Sequence, residues 1–200
     1  MALDEAILLE SAPDALVLRV YAWTGKGCTF GYSQRYALAK KLSGGVDPVR
    51  RATGGGVVMH DEGEVTFSLV FSWNRTLAPE TIYKNIHRGI HQALKERGTA
   101  NGIWSPKTAP EGIAAACFSR AEKMDLVDAD DNKILGGALR KKGSKGLYQG
   151  SLRVNVSNDV VIEGITREFG RPSVDLQASW IAKGSDLETR YRSSEWNTRR

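Results

Sequence analysis

Apolar and polar positions alternate along this chain with two distinct periods. From Met1 to Glu10, Leu3, Ala6 and Ile7 fall at helical spacing among good helix formers. Between Ala15 and Trp23 the period drops to two. Leu16, Leu18 and Val20 share one face, and Val17, Arg19, Tyr21 and Trp23 the other, which predicts a strand. Gly25-Lys26-Gly27 turns the chain, and Cys28 to Tyr32 is expected to pair back on that strand. A short helix over Arg35 to Leu42 stops at Ser43-Gly44-Gly45. Val57 to His60 reads as a strand and Asp61-Glu62-Gly63 as a turn. Val65, Phe67, Leu69 and Phe71 then alternate with Thr66, Ser68 and Val70. The pattern predicts a hairpin with one apolar and one polar face.

Pro79-Glu80 opens the clearest helix, with Ile82, Ile86, Ile90 and Leu94 in one stripe ending at Gly98. His87 and His91 lie one turn apart on it, a spacing open to a metal. With no third ligand and no HExxH pattern, they read as partly exposed helix histidines. The stretch 101–116, rich in Pro, Gly and Ala, is aperiodic and is expected to be a loop over the site. Met124–Val127, Lys133–Arg140 and Leu147–Val156 predict a three-stranded meander facing the hairpin across a cleft. Ser157 or Asn158 opens a helix ended by Gly170, although Gly164 weakens its interior, and a short helix is expected over Ser179 to Tyr191. These elements fit an α+β fold in one domain spanning 1–200, a mixed, largely antiparallel sheet with helices outside it. No βαβ alternation or internal repeat is seen.

A chain of 200 residues with 41% hydrophobic content is enough for one domain with a real core. No apolar run is long enough to span a bilayer, and no secretory leader opens the sequence. Two cysteines make no disulfide framework, so a reducing cytoplasm is expected, and the N-x-S/T triplets at Asn74 and Asn155 read as accidental. The net charge of +5 favours acidic partners, nucleic acid and acidic carrier proteins alike. A basic nucleic-acid module using the arginine-rich tail and the 140–145 turn is the non-enzymatic alternative. Against it, zinc-finger spacing and an RNA-binding aromatic signature are missing from the sequence.

The chemistry concentrates in RRATGGGVVMHDEGEVTFSLVF, Arg50 to Phe71. Paired guanidiniums precede Gly54, Gly55 and Gly56, which allow close approach of a ligand or another backbone. On spacing alone this is a bulged hairpin of an ordinary sheet. By the same standard, Lys133 is a solvated charge opening a strand, and Cys117 and Cys28 are small core residues.

The motif as a whole resembles the RRxTGGGxVxHDxG signature of the lipoate–protein ligase and octanoyltransferase family. EVTFS is closer to the ELTYS of the octanoyltransferase branch than to the GNxNFS of the ligases. MALDEAILLE, WTGKGCTFGYSQ, KILGGALRKKGSKGLYQGSL and RYRSSEWN resemble further family segments over most of the chain. The resemblance implies the biotin and lipoate ligase catalytic-domain fold. It places Gln34, Arg51, Thr53, Gly54, Gly55, Gly56 and His60 around the acyl site, with Gly136, Gly137 and Ala138 offering backbone amides to the acyl carbonyl. It makes Lys133 the family lysine and Cys117, in its Cys-Phe pair, the acyl-accepting nucleophile. Here Gly137 stands where a serine is usual, and Leu139 where glutamine or tyrosine is common.

The implied activity is ping-pong transfer of an octanoyl or lipoyl group through a Cys117 thioester to a lipoyl-domain lysine, with no cofactor. A close ammonium at Lys133 would favour the thiolate. At about 0.8 kcal/mol per buried methylene, the octanoyl tail would contribute on the order of 5 kcal/mol to binding. The expected partners are an acyl carrier protein, or free lipoate or octanoate, and a lipoyl-domain protein. The last is a glycine-cleavage H-type protein or a dehydrogenase E2-type subunit. No nucleic acid, membrane or metal site is expected. The alternative is a lipoate–protein ligase catalytic domain working through an acyl-adenylate with ATP and Mg. Arg51 and Lys133 would then face phosphate and carbonyl.

Overall fold

The computed structural model describes residues 1–103 and 121–199. In chain order the elements are α1 (Ala2–Glu10), β1 (Val17–Tyr21), β2 (Gly27–Phe30), α2 (Tyr36–Leu42) and β3 (Pro48–Arg50). Next come β4 (Val58–His60), β5 (Val65–Ser72), α3 (Pro79–Glu96), β6 (Gly102–Ile103) and β7 (Leu126–Val127). The chain ends with β8 (Lys133–Lys142), β9 (Lys145–Leu152), α4 (Asp159–Phe169), α5 (Ala178–Arg192) and α6 (Ser194–Thr198). A six-stranded antiparallel sheet has the order β1-β5-β9-β8-β7-β6, and a three-stranded sheet the order β3-β2-β4. This is the expected α+β architecture with helices on a largely antiparallel sheet.

Three local expectations are corrected. Cys28 to Tyr32 does not return to β1: β2 lies between β3, to which it is parallel, and β4. The 57–71 segment is not a hairpin, because β4 belongs to the small sheet and β5 to the large one. The meander does not face β5 across a cleft either, since β9 pairs with it from Val65↔Leu152 to Ser72↔Lys145.

Both faces of β5 are covered, which is why its alternation misleads. Phe67, Leu69 and Phe71 pack with Ile82, Ile86 and Ile90 of α3 and Val161 and Ile165 of α4. On the opposite face Val70 joins Val17, Leu147, Ile7 and Leu8 of α1, and Trp180 of α5. Thr66 and Ser68, polar in the pattern, are 5% and 2% exposed and form part of an internal polar layer.

The chain terminus is tied back by a guanidinium. Arg50 is fully buried and donates to the carbonyls of Tyr32, Gln34, Trp196, Asn197 and Arg199. Trp196 Nε1 donates to the Arg50 carbonyl at 2.9 Å. The first arginine of the pair is therefore structural, fixing the RYRSSEWN segment against β3.

Helices α3 and α4 cross at Gly89 and Gly164. A Cβ on Gly89 would sit 2.1 Å from the Gly164 carbonyl oxygen, and one on Gly164 2.7 Å from the Ile90 nitrogen. Gly164, a weak point for an isolated helix, is thus required by the crossing. Overpacking in Gly164→Ala is expected to cost up to about 3 kcal/mol, since the clash is with backbone. Alanine returns roughly 1 kcal/mol in helix propensity, so a net destabilisation of about 1–2 kcal/mol is expected. Urea unfolding of the variant measures it, and an unchanged midpoint would refute the close crossing.

Candidate active site

A narrow cleft lies between the large sheet and the small one. Its floor is one face of the large sheet, where Thr66, Ser151, Gly136, Gln149 and Ala138 are neighbours by register. Its roof is Thr29 of β2, Arg51, Gly55, and Val58 and His60 of β4, and Tyr21 and Trp23 form a side wall. The glycine segment is a roof over this sheet face.

Arg51 shapes the roof. Its Nη2 donates to the carbonyls of Gly54 at 2.9 Å and Gly56 at 2.8 Å, and its Nη1 to Thr29 Oγ1 at 2.8 Å. Gly55 has φ +85, which glycine adopts without strain, and its Cβ position is 3.4 Å from Ala138 Cβ. Its carbonyl rests against Gly31, where an added Cβ would be only 2.0 Å away. Gly31, which opens the Gly31-to-Gln34 turn, is thus a site-forming residue.

A polar relay connects roof to floor. Thr29 Oγ1 is hydrogen-bonded to His60 Nε2 at 2.7 Å, and His60 Nδ1 to Glu64. Glu64 also accepts from Thr66 at 2.9 Å and Ser151 at 2.7 Å, and His60 stacks on Trp23 with centroids 4.2 Å apart. Burial opposes a charge on Glu64, but His60, Ser151 and Thr66 together hold its carboxyl below the usual range. Glu64 was not among the expected site residues. A second buried carboxylate, Asp4, accepts from Arg19, Ser68 and Gln149. Burial would raise its pKa, but the chain's amino terminus, Arg19 and these donors lower it.

The expected residues divide. Arg51, Gly55, His60, Gly136, Gly137 and Ala138 line the cleft. Thr53 is fully buried and ties the loop to β9, its hydroxyl donating to Gln149 Oε1 at 2.7 Å. Gly54 and Gly56 contribute carbonyls to Arg51. Gln34, expected to face the pocket, turns back on its own loop and accepts from the Gly31 amide at 3.2 Å. Cys117 lies outside the described residues, as does the loop expected over 104–116. Cys28 is a core residue as expected, and burial raises its thiol pKa against a partial lowering by Arg51.

Lys133 is not a solvated charge. Its side chain is 3% exposed and its Nζ meets Asp125 Oδ2 at 2.7 Å. It folds over Gly136, where a Cβ would be 2.2 Å from Lys133 Cε, so a side chain there would displace the lysine. Burial pushes the Asp125 carboxyl up, and Lys133 offsets this in part. Gly137 is equally constrained, since a Cβ would lie 2.2 Å from the Tyr148 ring. The glycine in place of the usual serine is therefore matched by a tyrosine occupying that space.

Behind this corner stands His87, fully buried instead of partly exposed, because the stripe of α3 faces the sheet. Its Nδ1–H donates to the Met124 carbonyl at 2.5 Å, and its Nε2 accepts from the Tyr148 hydroxyl at 2.7 Å. His91 is separate, hydrogen-bonded to Asn101 at 2.6 Å. Among the described residues no group of three or more His, Cys, Asp or Glu is placed to hold a metal. No described helix is long and apolar enough to cross a membrane. Of the basic turn, Lys145 is committed to the carbonyls of Leu9 and Ser11 and Arg140 to that of Ala52, while Lys141 and Lys142 are exposed.

Residues 1–172 match the model of the lipoyl protein ligase A/B catalytic domain. An octanoyltransferase LipM of Macrococcus caseolyticus is 31% identical over 202 residues, covering 94% of this chain and 72% of the relative. Another, of Carboxydothermus hydrogenoformans, is 32% identical over 198 residues with the same coverages. Among solved structures, lipoate-protein ligase A bound with ATP superposes with a TM-score of 0.80 at 21% identity. It covers 98% of this chain and 92% of that one. A putative lipoate protein ligase from T. acidophilum with bound lipoic acid also gives 0.80 at 21% identity, covering 98% and 91%. At that identity the superpositions establish a shared fold.

The buried imidazole gives the protein a pH signature. Burial, with Lys133 nearby and against the Met124 hydrogen bond, lowers the His87 pKa from 6.5 to about 4. Between those values the unfolded chain binds a proton that the native imidazole refuses, so stability falls as pH drops through that window. From pH 7.5 to 4.5 the loss from this group is expected to be roughly 2–3 kcal/mol. Urea unfolding of wild type and His87→Gln at both pH values isolates it. Equal losses in the two proteins would show that His87 is not held neutral.

Proposed function

We propose, from the premise that this chain belongs to the lipoyl protein ligase A/B catalytic-domain family, that it is an octanoyltransferase of protein lipoylation. The observation carrying this reading is the cleft itself. It is a slot between a glycine roof and a small-residue strand, and the buried Lys133 side chain packs against Gly136, one of its lining residues. Such a slot suits an apolar acyl chain ending in a polarisable carbonyl. The likeness to octanoyltransferases named LipM, at 31% and 32% identity, favours octanoyl transfer over adenylate chemistry.

In the proposed reaction the Cys117 thiolate attacks the thioester carbonyl of an octanoyl carrier. The tetrahedral oxyanion is stabilised by the Lys133 ammonium and a backbone amide of β8. Gly137 presents its carbonyl to the Tyr83 hydroxyl at 3.4 Å, on the strand edge away from β9. Its N–H shares that edge and is the amide best placed to donate. Collapse expels the carrier thiolate, which takes a proton, and leaves an octanoyl thioester on Cys117. The ε-amine of a lipoyl-domain lysine then attacks this thioester, forming an amide, losing a proton and regenerating the cysteine. The donor is an acyl carrier protein, and the acceptor a glycine-cleavage H-type protein or a dehydrogenase subunit. No cofactor enters either half, and a cytoplasmic setting follows from these partners.

Incubation with octanoyl carrier protein is expected to give a hydroxylamine-labile octanoyl adduct by intact mass spectrometry. Cys117→Ser should abolish turnover, and Lys133→Gln should lower kcat about 10²–10³-fold, the scale of one lost oxyanion donor. Activity that survives Cys117→Ser and requires ATP with free octanoate would replace this reading with the ligase one.

A further inference from the structure

The turn before β7 carries a non-glycine residue in the left-handed region, Met124 at φ +75. For a large side chain this conformation is strained and persists only where surrounding contacts impose it. Two contacts do so. The Asp125 amide donates to the Glu122 carbonyl at 3.0 Å, and the Glu122 amide to Asp125 Oδ2 at 2.7 Å. From outside the turn, His87 Nδ1–H reaches the Met124 carbonyl at 2.5 Å. Asp125 is the residue next in sequence and meets Lys133 Nζ at 2.7 Å. Its register against β8 is irregular at this point, with a shift between Leu126 and Val127, so strand pairing alone does not fix the turn.

We propose that His87 is a positioning residue for Lys133. By pinning the Met124 carbonyl it holds the strained turn that aims the Asp125 carboxylate, and this keeps the lysine folded over Gly136. Its other nitrogen is tied to Tyr148, whose ring occupies the space above Gly137. One imidazole on α3 thus braces both the lysine and the strand proposed to meet the acyl carbonyl. The catalytic meaning of this brace rests on the acyl-transfer reading, whereas the placement of Lys133 does not.

Two conservative variants separate the bonds. His87→Asn places an amide where Nδ1 stands and retains a donor for Met124, while His87→Gln reaches the Nε2 position and retains only Tyr148. The readout is the rate at which a small amine-reactive acetylating reagent labels Lys133, followed by peptide mass spectrometry. Ile90→Ala, a core truncation on the same helix, controls for lost stability. Labelling of Lys133 is expected to rise up to about tenfold in His87→Gln, the upper end for losing one neutral hydrogen bond. It should stay near the wild-type rate in His87→Asn and Ile90→Ala. In His87→Gln, kcat for octanoyl transfer should fall with KM little changed. Equal labelling in the Gln and Asn variants, or equal exposure in Ile90→Ala, would overturn the proposal. Raised labelling in His87→Gln with transfer intact would uphold the positioning of Lys133 and remove its role in the reaction.

Discussion

The architecture of the cleft depends on a guanidinium satisfying carbonyls that no strand can reach. The Arg51 side chain donates to Gly54 and Gly56, on either side of a glycine at φ +85. Leaving the buried Gly56 carbonyl unpaired would cost about 1–3 kcal/mol. The same guanidinium reaches Thr29, and through it His60, Glu64 and the sheet residues Ser151 and Thr66. Guanidinium, hydroxyl, imidazole and carboxylate form one bonded series from roof to floor. That series sets the spacing of a slot otherwise held open by glycines.

Neighbouring arginines do unrelated work: Arg50 ends β3, and Arg51 lies just past it. Arg50 turns from the cleft and gathers the carbonyls of the 196–199 segment; Arg51 turns into it. Sequence position alone cannot distinguish them, and the distinction decides which one lines the cleft. A comparable division separates the two helix histidines. One turn apart on α3, His87 faces the sheet and is buried, while His91 sits at the helix margin by Asn101.

The departures from the family pattern have a packing logic. Gly137, where a serine is usual, lies beneath Tyr148, and a side chain there would collide with the ring. The tyrosine hydroxyl then needs a partner in a dry core and finds it in His87. A changed residue on the strand is thus coupled to the chemistry of a helix on the other side of the sheet.

Most elements were legible in the sequence, because helical stripes such as Ile82 to Leu94 and alternating runs such as Leu16 to Val20 report burial directly. The family was legible too, since three glycines between Arg-Arg and His-Asp are a specific local pattern. What one-dimensional periodicity could not supply was which sheet each strand joins. Residues 57–71 read as one hairpin because alternation carries no information on partners, and β4 and β5 separate only through long-range pairing. Nor could it reveal Glu64, Asp125 or His87 as supports behind the cleft. Each acquires its role from a contact with a residue remote in sequence or from a backbone approach that leaves no periodic trace. The chain by itself determined the helices, the strands and the glycine loop. The fold decided which of their polar atoms meet, because hydrogen bonds and ion pairs are set by distances that only the packed chain defines.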